Sequence, residues 1–148
     1  MIPIEELPHI HKIPKNEGEW FQALIDLARY LRTPQGCPWD RKQNSQDFLR
    51  YLRDELKEID EAYADGDEEN VAEEFGDSLF CMIASAAAAE EEGRYTLKQA
   101  LEDIHTKMIR RHAHVFGDVD ANDPEAVKAS WAAIKEAEKE EKRRKKGK

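Results

Sequence analysis

The sequence predicts an all-α fold, an antiparallel bundle of about five helices in a single domain. Apolar residues repeat with a helical period in several long segments, and no segment alternates apolar and polar residues as a strand does. Only 7 glycines and 6 prolines occur among 148 residues, which favours long helices over loops. We expect an irregular lead over 1–15, one domain over 16–135, and a charged tail over 136–148 that frays.

The first predicted helix begins after Asn16, which forms a capping box with Glu19, and ends at about Arg32. Its apolar residues, Trp20 and Phe21 among them, recur every three or four positions. The following segment, 33–40, contains two prolines and a glycine, so we predict a loop there.

Two further helices are predicted to form a hairpin. Ser45 caps the second helix, which ends before the turn Asp65-Gly66-Asp67. Asp67 caps the third helix, which carries acids in its first turn and ends at Gly93.

The last two predicted helices also have clear start signals. Thr96 and Gln99 form a capping box for the fourth helix, which ends near Arg111. Asp123-Pro124 opens the fifth helix, because proline suits the first helical position.

Charge and cysteine content limit the function classes. A net charge of -9 repels a polyanion, so we expect no polymeric nucleic acid partner. Cys37 and Cys81 are expected to be reduced thiols, as in cytoplasmic proteins. The first 14 residues lack an export signal, and the longest apolar run, 79–89, is too short to cross a bilayer. We therefore expect a cytoplasmic protein without a membrane partner.

Two carboxylate pairs mark the candidate site. Glu55 and Glu58 lie three residues apart in the second predicted helix, and Glu74 and Asp77 have the same spacing in the third. This spacing places each pair on one side of its helix. Glu55 falls within about 20° of the middle of the apolar stripe of its helix. If the hairpin forms, four acids converge where only a divalent cation makes their charge tolerable.

Two other interpretations of these acids remain. They could be ordinary surface acids, since the chain has 32 of them, although Glu55 fits that view poorly. A ferritin-like di-iron centre is disfavoured because neither Glu58 nor Glu74 has a histidine three residues later. Ligands that are all oxygen select Mg²⁺, with Mn²⁺ as a substitute.

A basic cluster at the end of the fourth helix has two interpretations. Lys107, Arg110 and Arg111 either stabilise the helix end or bind phosphate. Trp39 and Trp131 are likewise candidates for packing or for a nucleobase platform.

Five motifs, in this order, resemble the MazG nucleoside triphosphate pyrophosphohydrolases, a family of the all-α NTP pyrophosphatase superfamily. The likeness covers roughly residues 20–135, and the combination is far more specific than any single motif. The motifs are Gly36-Cys37-Pro38-Trp39-Asp40, Asp54-Glu55-Leu56-Lys57-Glu58, Glu74-Phe75-Gly76-Asp77, Glu92-Gly93-Arg94-Tyr95 and the run from Arg110 to Asp118.

The resemblance implies a Mg²⁺-dependent hydrolase that converts nucleoside triphosphates to monophosphate and pyrophosphate, in nucleotide clean-up or catabolism, and that forms homodimers or larger homo-oligomers. By that match Glu55, Glu58, Glu74 and Asp77 hold the metal, and an acid among 54, 55 and 58 activates water. The implied nucleotide contacts are Lys107, Arg111, Trp131 and Lys135, beside the candidates Trp39 and Arg110.

The sequence also departs from the family pattern. Asp54 stands where a glutamate is usual, Gln43-Asn44-Ser45 replaces a common Gln-Thr-His, and Ala113 replaces a frequent proline. Only one MazG-like unit is present. The alternatives are a dUTPase or phosphoribosyl-ATP pyrophosphatase of the same superfamily, and a non-catalytic helical module that binds nucleotides or a partner protein.

Overall fold

The computed structural model describes residues 1–147, which form helices and no strand, so the all-α prediction is confirmed. The helices are a 3₁₀ turn at Ile4–Glu6, α1 (Glu17–Leu31), α2 (Pro38–Lys42), α3 (Ser45–Ala64), α4 (Glu68–Glu91), α5 (Leu97–Arg111), α6 (Ala113–Phe116) and α7 (Pro124–Lys146). None of the helices in residues 1–147 combines the length and the hydropathy that a membrane span requires.

The chain divides into two compact units, Met1–Leu97 and the part from Lys98 onward. The first contains α1 to α4, and the second contains most of α5 together with α6 and α7. The predicted extent of one domain, 16–135, stays a prediction.

Helices α3 and α4 form the predicted antiparallel hairpin. The turn between them contains Gly66 at φ 68°, a left-handed conformation that glycine adopts without strain. At the open end of the hairpin, the hydroxyl of Ser85 donates to the carbonyl of Ser45 over 2.8 Å. The carboxylate of Glu92 accepts from the amide and the hydroxyl of the same Ser45. These bonds satisfy polar groups that the packing of the two helices would otherwise leave unpaired.

The N-cap of α3 is Asn44 and not Ser45, which corrects the prediction by one residue. Asn44 accepts a hydrogen bond from the amide of Asp47, whose carboxylate accepts from the amide of Asn44. This reciprocal pair satisfies two donors at once, and Ser45 is left free to bind Glu92. The predicted caps of α1, α4 and α7 are confirmed as Asn16, Asp67 and Asp123.

Small side chains bring the helices of the first unit close together. Ala84 and Ala88 of α4 pack with Phe48 of α3 in one buried cluster. On another side of α4, Ile83 and Ala87 pack with residues of α1. Two ion pairs, Arg29 with Glu90 and Arg32 with Glu91, join the ends of α1 and α4. Helix α4 is therefore the central helix of this unit.

The predicted loop over 33–40 is partly wrong, because Pro38–Lys42 forms the short helix α2. Pro38 lies at the start of that helix, where the missing amide hydrogen breaks no hydrogen bond within the helix. Before it, the amide of Cys37 donates to the carbonyl of Leu31, which folds the chain tightly against the end of α1. Gly36 lies inside this tight connection.

In the second unit, ion pairs join α5 to α7. Arg110 and Arg111 of α5 both bind Glu138 of α7. The charged segment that starts at Glu136 continues α7 as far as Lys146, with pairs such as Arg143 with Glu140 on its surface. The predicted fraying of this tail stays a prediction.

Substitution of Gly36 by alanine is expected to destabilise the first unit by roughly 2–4 kcal/mol. A Cβ atom at Gly36 would lie 2.3 Å from the carbonyl oxygen of Leu31, and backbone cannot move away cheaply. Gly18→Ala in the first turn of α1 is the control, because its nearest contact would be an ordinary 3.5 Å. Urea denaturation of the two variants measures the difference, and equal stabilities would contradict this account of the connection.

Candidate active site

Three of the four predicted metal ligands meet where α3 and α4 lie side by side. Glu55 and Glu58 extend from successive turns of α3, and Glu74 extends from α4. One carboxylate oxygen of each lies within 4.8 Å of the others. The helical hairpin therefore brings these three acids together, as their spacing in the sequence predicts.

Two oxygens of this acidic cluster, Glu55, Glu58 and Glu74, lack any partner. The Oε2 atoms of Glu55 and Glu74 are inaccessible to solvent and accept no hydrogen bond from the described residues. A buried carboxylate oxygen without a donor costs free energy unless a proton or a cation compensates it. Three carboxylates and no softer ligand suit a hard cation such as Mg²⁺ or Mn²⁺. The acidic cluster thus has the chemistry that the implied metal requires.

The acidic cluster holds a proton well above the pH at which glutamates normally ionise. Hydrogen bonding to Glu55 and Glu58, together with desolvation, raises the pKa of Glu74 to about 8. A hydrogen bond to Glu74 lowers the pKa of Glu55, but desolvation and the charges of Glu58 and Asp77 outweigh it, so the pKa of Glu55 is raised. Without a cation, a proton on Glu74 reduces the repulsion among the three carboxylates.

Asp77 and Asp54 lie outside the acidic cluster. Asp77 is exposed on α4, but its charge lies close enough to help raise the pKa of Glu55. Desolvation raises the pKa of the buried Cys81 thiol, and the charges of Glu55 and Asp77 raise it further. Asp54 is exposed on α3. The assignments of Asp77 as a metal ligand and of Asp54 as a catalytic base therefore stay predictions.

Trp39 lies on α2 in the same unit as the acidic cluster. Its indole is 51% exposed and contacts Tyr51 of α3, with ring centroids 5.5 Å apart. The buried Phe48 supports it edge-on at 6.2 Å. Tyr51 precedes Glu55 by one helical turn, so this aromatic surface lies beside the acids. Sequence reasoning missed Tyr51, although its spacing of four residues from Glu55 was an available signal.

The remaining candidates lie in the second unit. The side chain of Arg111 is 14% exposed, and its guanidinium lies 5.7 Å from the ring centroid of Trp131. His112 packs edge-on against the same indole at 5.1 Å. Lys107 is half-buried on α5, and Lys135 is exposed on α7. Trp131 therefore contacts Arg111 and His112. Glu138, the partner of both arginines, was not predicted.

Comparison with known proteins identifies a family. Residues 43–116 match the model of the MazG nucleotide pyrophosphohydrolase domain. This span contains the acidic cluster, Lys107 and Arg111, but neither Trp39 nor Trp131. A crystal structure of a mazG-related protein from Thermotoga maritima superposes with a TM-score of 0.67 at 28% identity, covering 80% of this chain and 98% of that one.

Curated relatives are longer than this chain. The uncharacterized protein YabN of Bacillus subtilis is 40% identical over 137 residues, which is 93% of this chain and 27% of that protein. The nucleoside triphosphate pyrophosphohydrolase/pyrophosphatase MazG of Thermotoga maritima is 36% identical, covering 87% and 49% of the two chains. The nucleoside triphosphate pyrophosphohydrolase of Escherichia coli K12 is 37% identical, covering 80% and 46%. The chain spans about a quarter to a half of these relatives.

The free energy of unfolding of the metal-free protein is expected to fall between about pH 5 and pH 8. The folded pKa of Glu74, about 8, exceeds the ordinary value of 4.5, so its proton stabilises the fold fully below pH 4.5. This contribution is lost as the pH rises through 8. Urea denaturation with a chelator at each pH measures the change.

Glu74→Gln should flatten that dependence and be more stable than the wild type above pH 8, because the amide keeps the shape and removes the charge. Glu61→Gln, an exposed acid elsewhere on α3, is the control and should keep the wild-type slope. A wild-type stability that rises across this range would contradict the shared proton.

Proposed function

Because this chain belongs to the MazG nucleotide pyrophosphohydrolase family, we propose that it hydrolyses nucleoside triphosphates to nucleoside monophosphate and pyrophosphate. The observation that carries the proposal is the approach of Glu55, Glu58 and Glu74 to within 4.8 Å, with two buried oxygens that lack partners. The family match spans all three residues. A role in the removal or catabolism of nucleotides follows from this reaction.

In the proposed reaction, water attacks the α phosphorus and the bond from this atom to the oxygen that bridges to the β phosphorus breaks. The oxygen of water stays on the monophosphate, and the bridging oxygen leaves with pyrophosphate. Mg²⁺, when bound, supplies positive charge that polarises the phosphate oxygens and the water. Glu55, Glu58, Glu74 and Asp77 are proposed to hold it, and the charge of Asp77 lies close enough to help raise the pKa of Glu55.

A carboxylate of the site takes the proton that the attacking water loses. Asp54, Glu55 and Glu58 are the proposed candidates for this base, and Asp54 alone of the three lies outside the acidic cluster that would hold the cation. Lys107 and Arg111 are proposed to offset the charge of the triphosphate, since fixed cations bind phosphate oxygens strongly. Arg110, Trp131 and Lys135 are proposed as further nucleotide contacts on the basis of the resemblance.

Trp39 is proposed to stack against the nucleobase. The support is its exposed indole, which contacts Phe48 and Tyr51. Tyr51 precedes Glu55 by one helical turn. A stacked base gains binding free energy from any aromatic face and little base specificity. Trp39→Ala should raise KM and leave kcat nearly unchanged, and an unaltered KM would remove Trp39 from the site.

We also propose that two copies of the chain associate. Large apolar side chains on α3 and α4 are about half exposed, among them Leu56 at 48%, Phe75 at 63% and Met82 at 55%. Apolar surface of this kind on two adjacent helices is typical of an interface. Sedimentation equilibrium at micromolar concentration should give at least twice the 17.1 kDa chain mass. A monomer mass would contradict the proposal.

Purified protein with Mg²⁺ and a panel of nucleoside triphosphates should release pyrophosphate, and a chelator should stop the release. The panel separates a general activity from that of a dUTPase or a phosphoribosyl-ATP pyrophosphatase. Release of orthophosphate would contradict the cleavage position. Binding of a non-hydrolysable nucleotide without any turnover would favour the non-catalytic module.

Glu55→Gln should lower turnover by about two orders of magnitude or more, because it removes a charge that holds the cation and leaves the side-chain shape intact. Glu61→Gln, on the same helix but outside the acidic cluster, is the matched control and should keep wild-type turnover. Full activity of Glu55→Gln would exclude Glu55 from the catalytic centre.

A further inference from the structure

A single carboxylate orients two consecutive arginines in the second unit. Glu138 of α7 binds Arg110 through Oε1 and Arg111 through Oε2, with shortest distances of 2.6 and 2.8 Å. Glu138 lies 27 and 28 positions beyond the two arginines in the chain. Neighbouring residues on a helix point about 100° apart, yet both guanidinium groups converge on the carboxylate of Glu138.

The contacts use one edge of each guanidinium group. Arg110 donates from Nε over 2.8 Å and also contacts the same oxygen through Nη2. Arg111 donates from Nε over 3.2 Å and from Nη2 over 2.8 Å. Nε and Nη2 of each arginine face Glu138, and each guanidinium group carries two further donors on Nη1. Glu138 fixes the direction of both forks without using all their donors.

This ion-pair network is more buried than the others on α7. The side chains of Glu138 and Arg111 are 15% and 14% exposed and that of Arg110 is 49% exposed, whereas Glu140 and Arg143 are each 60% exposed. Hydrogen bonds from Arg111 and Arg110 lower the pKa of Glu138 to about 2, so it is ionised at any physiological pH. Buried, geometrically defined pairs hold side chains in place far better than exposed pairs.

The network lies beside a basic groove. Arg110, Glu138 and Lys107 line a cavity of about 720 Å³ between α5 and α7, together with Lys142 and Lys145. Lys107 precedes Arg111 by one helical turn. The lining contains four cations, Lys107, Arg110, Lys142 and Lys145, and three acids, Asp103, Glu138 and Glu141, so its net charge is +1 and favours an anion.

We infer that Glu138 is a positioning residue: it holds Arg110 and Arg111 in the orientation in which they bind the phosphates of the nucleotide. This inference rests on the proposed function, because the arginines are taken as phosphate contacts. Glu138 itself touches no substrate. Guanidinium groups that are already oriented lose less conformational entropy when an anion binds. We therefore expect the loss of Glu138 to weaken the affinity for the nucleotide.

Glu138→Ala should raise KM for the Mg²⁺ nucleotide about tenfold and change kcat less than about twofold. Glu138→Asp keeps the charge on a shorter side chain, and its KM should lie between those of Glu138→Ala and the wild type. Glu140→Ala removes an exposed carboxylate that pairs with Arg143 and is the matched control, with wild-type KM expected. Thermal melting identifies the variants that fold, and if Glu138→Ala unfolds, Glu138→Asp and Glu138→Gln provide the same comparison.

A second measurement separates this inference from the proposed function. Calorimetry with inorganic tripolyphosphate and a chelator reports anion binding without turnover, and Glu138→Ala should bind about tenfold more weakly. Weaker binding by this variant while the wild type cleaves no nucleotide would overturn the proposed function and support the positioning role. Unchanged KM and unchanged tripolyphosphate affinity would overturn the positioning role and leave the proposed function intact. Tighter binding would show that Glu138 competes with phosphate, which also overturns it.

A double-mutant cycle identifies the route of the effect. In a protein that carries Arg110→Ala and Arg111→Ala, the further change Glu138→Ala should cause no further rise in KM and no further loss of tripolyphosphate affinity, because nothing remains to be positioned. A further tenfold loss in this background would show that Glu138 acts without the arginines and would overturn the inference.

Discussion

Repulsion among Glu55, Glu58 and Glu74 is the constraint on which the rest of this structure depends. Three carboxylates within 4.8 Å of one another cannot all be ionised at low cost without a cation. Hydrogen bonding to Glu55 and Glu58, desolvation and the charges of both residues together raise the pKa of Glu74 to about 8. The fold must hold the acids together although their charges repel one another. A cation that binds between them removes this repulsion, and the binding is stronger by the free energy so recovered.

The packing of α4 supplies the rigidity that this constraint requires. Residues 84–89 are buried in an unbroken run, and five of the six are alanines, so other helices approach this segment closely. Phe48 of α3 and residues of α1 pack on different sides of it. Hydrogen bonds among Ser45, Ser85 and Glu92 fix the open end of the hairpin. The carboxylates extend from the part of the hairpin nearer the turn, where Glu58 is exposed to solvent.

Much of this arrangement follows from the sequence. Helical periodicity identified the long helices, and the turn Asp65-Gly66-Asp67 between two capped segments indicated the hairpin that joins Glu55 to Glu74. Periodicity cannot detect a helix of five residues such as α2, which is shorter than two turns. The spacing of three residues does not show which of the two side chains approaches the acids of α3. Only the packed structure shows that Glu74 joins the acidic cluster and that Asp77 is exposed.

The contacts of Glu138 lay beyond sequence reasoning for a different reason. No local rule connects a glutamate to arginines 27 and 28 positions earlier, and in the sequence it resembles the other acids of the charged tail. Its burial beside Arg111 distinguishes it from them. The family motifs, in contrast, identified the acidic cluster because its members lie in two short, local patterns on adjacent helices.

Anomalous diffraction from crystals soaked in Mn²⁺ tests the central claim most directly. We expect a peak between α3 and α4, within roughly 2.0–2.6 Å of an oxygen of each of Glu55, Glu58 and Glu74. A crystal with no peak there, or with manganese bound away from these three carboxylates, would contradict it.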